Sequence, residues 1–92
     1  MLATLGLLPS QPVEFEIDMR SQVPSYRQLA DRIAEAIAAG EYRPDDPIPS
    51  LRTLQQETGL AMATVQHAIS VLRTEGLVYS VSGRGTFVAP RQ

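Results

Sequence analysis

From Ser50 to Val88 the chain reads SLRTLQQETGLAMATVQHAISVLRTEGLVYSVSGRGTFV, and the spacing of its apolar residues and glycines decides the fold. Ser50 suits a helix N-cap, where a hydroxyl accepts from a first-turn amide. It opens a short helix from Leu51 to about Thr58, which Gly59 closes. Leu51 and Leu54 point inward from it, with Leu60 beyond the turn. A further helix runs from about Met62 to Thr74 and stops at Gly76. On it Val65, Ile69 and Leu72 recur at spacings of four and three, one face of an α-helix. Met62, Ala63, Gln66, His67, Ser70 and Arg73 fall off that stripe, and no acid joins them before Glu75. Ala61 caps this helix poorly, at a cost of about 1 kcal/mol against serine.

After it, Val78-Tyr79-Ser80-Val81 and Thr86-Phe87-Val88 flank Ser82-Gly83-Arg84-Gly85, which predicts two strands joined by a turn. Before it, Pro24-Ser25-Tyr26 opens a first helix. Ser25 with Gln28 fits a capping box, and Pro24 fits the first turn equally well. Tyr26, Leu29, Ile33 and Ile37 form its apolar face and Gly40 ends it. Arg27, Asp31, Arg32 and Glu35 stand off that face, spaced to pair on a solvated surface. Prolines 44, 47 and 49 with the Asp45-Asp46 turn predict a stiff connector from Glu41 to Pro49. Val13-Glu14-Phe15-Glu16-Ile17-Asp18 alternates apolar and acidic residues, as a half-buried strand does. Residues 1–12 carry two prolines and no period, and predict a flexible arm.

A chain of 92 residues holds one small domain, so residues 1–19 divide off as an arm with a short strand and residues 20–90 as the domain. It has no cysteine, and His67 is its only histidine. No thiolate, no nucleophile–base pair and no metal cluster can be assembled, so neither an enzyme nor a cofactor is expected. The apolar start, Met1 to Pro9, lacks a basic flank and is broken by Thr4 and Gly6. No window approaches the roughly 20 apolar residues of a membrane helix. A soluble, cytoplasmic protein without a membrane partner is expected. All eight cations are arginines: four stand in residues 1–46 against eight acids, and four in residues 47–92 against only Glu57 and Glu75. The second half therefore permits an anionic partner.

Three helices, the last two joined at a glycine, followed by a glycine-tipped hairpin, define an α+β winged helix-turn-helix with the hairpin as wing. In that fold the third helix must hold the core with one face and leave the other to the DNA major groove. The stripe Val65, Ile69, Leu72 settles which face is which.

Five segments in this order and spacing are specific: Pro24-Ser25-Tyr26-Arg27-Gln28-Leu29, Ile48-Pro49-Ser50-Leu51-Arg52, Thr64-Val65-Gln66-His67-Ala68-Ile69, Glu75-Gly76-Leu77 and Gly83-Arg84-Gly85-Thr86-Phe87-Val88. Together they resemble the N-terminal winged-helix domain of the GntR family, over about residues 20–90. The resemblance implies a transcriptional regulator, normally a repressor, that binds a palindromic operator in duplex DNA as a homodimer. It implies DNA contact by Arg52, by Met62, Ala63 and Thr64 in the first turn of the recognition helix 62–74, and by Gln66 one turn later. It implies that Ser82, Gly83 and Arg84 of the wing 78–88 follow the minor groove or its phosphates. The chain departs from the family pattern where Ser or Thr and then Arg are usual, with Ala61 and Met62. It also has Gln66 for a common Arg, and Leu51 for a common Glu. Arginine reads guanine through paired hydrogen bonds and glutamine suits adenine. An operator unlike the family's GT…AC half-sites, bound more weakly, is expected.

Each candidate has a plainer reading beside the functional one. Arg52 is either a solvated charge or a DNA contact; a cation in a first turn opposes the helix dipole, which favours the second. Arg84 is either a solubilising tip or a wing contact, and Met62 either a core or partner contact or a reader of a thymine methyl. His67 fits a surface side chain at a phosphate better than a catalytic base, Arg73 fits a phosphate or a surface charge, and Tyr79 packs the wing rather than stacking on a base. The chain ends four residues beyond Val88. It is thus expected to lack an effector domain, either as a stand-alone regulator or as one domain of a longer protein. The arm, with Leu5, Leu7, Leu8, Phe15 and Ile17, is then the material for a dimer interface. The rival function is a winged helix for protein–protein contact, which the net charge of −2, the missing lysine and Met62 favour.

Overall fold

The computed structural model describes residues 14–90. Its elements run α1 (Ser25–Ala38), α2 (Leu51–Thr58), α3 (Met62–Thr74), β1 (Val78–Val81) and β2 (Gly85–Val88). α1 and α2 both pack on α3, and β1 follows directly along it. The inward stripe of α3 is the centre of the core: Val65, Ala68, Ile69 and Leu72 are buried against Leu29 and Ile33 of α1 and Leu54 of α2. Val78 and Val88, paired across the hairpin, close the core from the wing side. No helix among the described residues is long and apolar enough to cross a membrane.

The turn between α2 and α3 sets the angle at which the outer helix leaves the body. Gly59 takes φ +75°, a left-handed conformation that costs a residue with a Cβ roughly 1–2 kcal/mol. Its amide donates to the Gln55 carbonyl, and the Thr58 hydroxyl bridges the corner by donating to Leu54 O at 2.7 Å and accepting from Leu60 N at 3.2 Å. Past the end of α3, Gly76 takes the same left-handed conformation, with Leu77 N donating to Leu72 O at 3.0 Å. The wing then pairs Val78 with Val88 and Val81 with Gly85, which leaves a turn of Ser82, Gly83 and Arg84. Gly85 thus belongs to β2 rather than to the turn.

Three further expectations need correction. The segment 14–18 pairs with no strand; Phe15 is buried in the core and Ile17 packs against it, while Glu14 and Glu16 are exposed. The alternation reported which side chains are buried, and a short segment can achieve that by lying on a helix without a ladder. The Ser25–Gln28 capping box does not form: Pro24 is the N-cap, with no side-chain bond. Gln28 instead binds the leading segment, accepting from Asp18 N and donating to Asp18 O and Val23 O at 2.8–2.9 Å. The connector 41–49 is more than a spacer, because it runs along the free edge of β2. Asp45 N donates to Val88 O, Val88 N to Asp46 O and Ile48 N to Thr86 O, with Pro47 opposite Phe87. The prolines fall where no donor toward β2 is needed, which is how proline is tolerated at a sheet edge.

Candidate nucleic-acid interface

No described residue covers the side of α3 opposite its buried stripe. Ala63, Gln66, His67, Ser70 and Arg73 are exposed along it, and Met62 and Thr64 are half-buried in the first turn. The described part of the leading segment lies on α1, where Arg32 Nε donates to Glu14 O at 3.0 Å, and so leaves this face uncovered. Arg52 is exposed in the first turn of α2, and Ser82, Gly83 and Arg84 are exposed at the wing tip. Gly83 has φ +77° and nothing within 4 Å of where a Cβ would sit. The turn therefore demands glycine for its backbone, and the space above it is free for a ligand.

Charge is sorted by place. Arg27 pairs with Asp31 at 3.2 Å and with Glu75 at 3.6 Å, and Arg32 pairs with Glu41 at 3.6 Å. Arg52, Arg73 and Arg84 form no ion pair with a described residue, and neither do Arg20 and Arg43. Acids gather on another flank, where Glu16, Asp18, Asp31 and Glu35 line a cleft of about 340 Å³ between the leading segment and α1. Exposed arginines without acid partners among the described residues can bind phosphate oxygens, and Gln66, a donor and acceptor together, can bind base edges.

Two side chains do more than their positions announced. Arg73 Nη1 donates to Ser80 Oγ at 2.9 Å, so it braces the wing against α3 as well as facing solvent. In the last turn it also complements the helix dipole. His67 stacks on Tyr26 of α1, ring centroids 3.9 Å apart and 12° from parallel. That partner was invisible in the sequence, where Tyr26 reads as one more apolar-face residue. Tyr79 does pack the wing: it stacks on Phe87 at 5.7 Å and its hydroxyl donates to Asp45 Oδ1 at 2.7 Å, which raises its pKa above 10.0.

Three helices, the last two joined at a glycine, and the glycine-tipped antiparallel hairpin together define a winged helix-turn-helix domain, the fold of GntR-type DNA-binding domains. Within that class the chain belongs to the family described as bacterial regulatory proteins, gntR family, whose pattern matches residues 25–88. It is 41% identical over 73 residues to the HTH-type transcriptional repressor NagR of Bacillus subtilis. It is 45% identical over 65 residues to MngR of Escherichia coli, a mannosyl-D-glycerate transport/metabolism system repressor. The matches take in 79% and 71% of this chain, and 30% and 27% of those proteins, so it spans under a third of their length. Among solved structures it is similar to YtrA from Sulfolobus acidocaldarius, a GntR-family transcription factor, at 40% identity and TM-score 0.78, over 85% of this chain and 82% of that one. It is also similar to AraR(DBD) in complex with operator ORX1, at 34% identity and TM-score 0.79, over 86% and 100% of the two chains.

Proposed function

We propose that this chain is the DNA-reading part of a cytoplasmic transcriptional repressor that binds a palindromic operator as a symmetric dimer. α3 enters the major groove, with Met62, Ala63, Thr64 and Gln66 toward the bases and His67 and Arg73 toward the backbone. Arg52 holds phosphate or a groove edge, and Ser82, Gly83 and Arg84 follow the adjacent minor groove. The observation that carries this reading is the outer face of α3, which no described residue covers, together with exposed Arg52 and Arg84, which have no acid partner among the described residues. Relatives solved on their operators support it, and they weigh against a protein–protein module. The dimer contact is assigned to residues 1–12, including Leu5, Leu7 and Leu8, which lie outside the described residues. Phe15 is withdrawn from that role because it is buried in its own core, while Ile17, half-buried against that core, stays a candidate.

Selection of bound sequences from a random duplex pool tests the reading and yields the operator. Affinity for the selected duplex should fall steeply with salt, with a log–log slope near −0.9 per phosphate neutralised. Arg52→Ala should weaken binding roughly ten- to hundredfold, the worth of one charge-assisted hydrogen bond, and flatten that slope by about one. Its thermal midpoint should match the parent's. A folded Arg52→Ala chain with parental affinity would remove that side chain from the interface.

A further inference from the structure

One aromatic pair ties the helix that supports the fold to the face assigned to DNA. Tyr26 of α1 is half-buried and lies plane to plane on exposed His67 of α3, at 3.9 Å and 12°. Stacking takes one face of the imidazole, while the His67 side chain as a whole stays exposed. Neither nitrogen bonds another described residue. A histidine on an open helix surface samples several rotamers, and a wall of tyrosine removes much of that freedom before any ligand arrives. The ring therefore stands pre-set beside Gln66 and one turn beyond Ala63, on the outer face. Arg27, next to Tyr26 in the chain, is held by Asp31 and Glu75, so it does not offer its charge at this edge. What this border of α3 presents is an oriented ring N–H, a fit for a non-bridging oxygen of a phosphate diester.

We propose that Tyr26 and His67 act as one unit at a DNA backbone phosphate. His67 donates a ring N–H to the phosphate, and Tyr26 is the positioning residue that holds the ring. This rests on the DNA-binding reading above and deepens it.

The test uses the full chain and the duplex selected from the random pool. His67→Ala and Tyr26→Leu should each weaken binding about three- to tenfold, the range of one hydrogen bond. Combined, they should weaken it no more than the stronger single change, because both remove the same contact. Tyr26→Phe keeps the stack and should bind as the parent does. His67 is the chain's one histidine, so its ring protons form an isolated NMR probe. They should be displaced upfield by the Tyr26 ring current, remain so in Tyr26→Phe and lose the displacement in Tyr26→Leu. Should Tyr26→Leu fail to fold, His67→Ala, on an exposed position, carries the test alone.

Additive losses overturn the proposal. So does a folded Tyr26→Leu chain that has lost the displacement and kept its affinity, or a His67→Ala chain with parental affinity. If Arg52→Ala still weakens binding in those cases, only the Tyr26–His67 unit is lost. A parent chain that selects no duplex sinks both readings.

Discussion

Arg27 and Arg52 stand in opposite electrostatic situations. Arg27 is partnered twice, across a helix turn to Asp31 and across helices to Glu75, and such exposed pairs contribute about 0–1 kcal/mol each. The second pair places a cation beside Glu75, the acid that follows α3. Arg52 opposes the dipole of its own helix and forms no ion pair with a described residue, an arrangement that costs a little stability. Tyr42 carries a different consequence. Burial lifts its pKa above 10.0, and the carboxylates of Glu57 and Glu41 add to this while Arg32 opposes it. A group whose pKa is raised on folding lends stability that is whole below its unfolded value and is lost as pH climbs through the folded one. Urea midpoints should therefore fall above about pH 10, and Tyr42→Phe should flatten that fall. An unchanged alkaline profile in Tyr42→Phe would assign the loss elsewhere.

Among the elements, α2 and α3 differ at their starts in one atom. Ser50 and Ala61 hold nearly the same extended backbone, φ −65° and ψ 162° against φ −65° and ψ 151°. Ser50 Oγ accepts from Thr53 N at 3.1 Å, whereas Ala61 leaves the first amides of α3 without a side-chain acceptor. Ala61→Ser would place its hydroxyl where Ser50 already has one, and should stabilise the chain by about 1 kcal/mol in urea unfolding. A change below a few tenths would mean that neighbouring groups already satisfy those amides. The helices were legible because apolar period, cap and terminal glycine all agreed on them. The connector was not, since prolines 44, 47 and 49 speak against a strand while the pairing uses only the residues between and beside them. The capping box failed for a related reason. Local spacing offered Gln28 to Ser25, and the leading segment offered it three bonds instead.

At the scale of the molecule, one core serves two duties: it fixes the outward face of α3 and anchors the leading segment through Phe15. Phe15→Ala should therefore cost about 3–5 kcal/mol, a core truncation in a domain of modest stability, read by urea unfolding. A cost near zero would show that the segment only rests on the surface. The proposed dimer has its own test. Deleting residues 1–12 should convert the species in solution to a monomer by light scattering; an unchanged dimer rules the arm out as the contact. The monomer should still bind a single half-site with a shallower salt dependence.

By itself the sequence determined the three helices, the glycine-closed turn, the hairpin and the outward face of α3, because each rests on local periodicity and backbone preference within a few residues. It also determined, through five ordered segments, the family to which the chain belongs. Only the tertiary structure decided that 14–18 is a packed strap, that 45–48 edges the wing, that Arg73 braces Ser80 and that His67 leans on Tyr26. Those contacts join residues distant in the chain, and no local spacing encodes which of several compatible partners a side chain meets when the core closes.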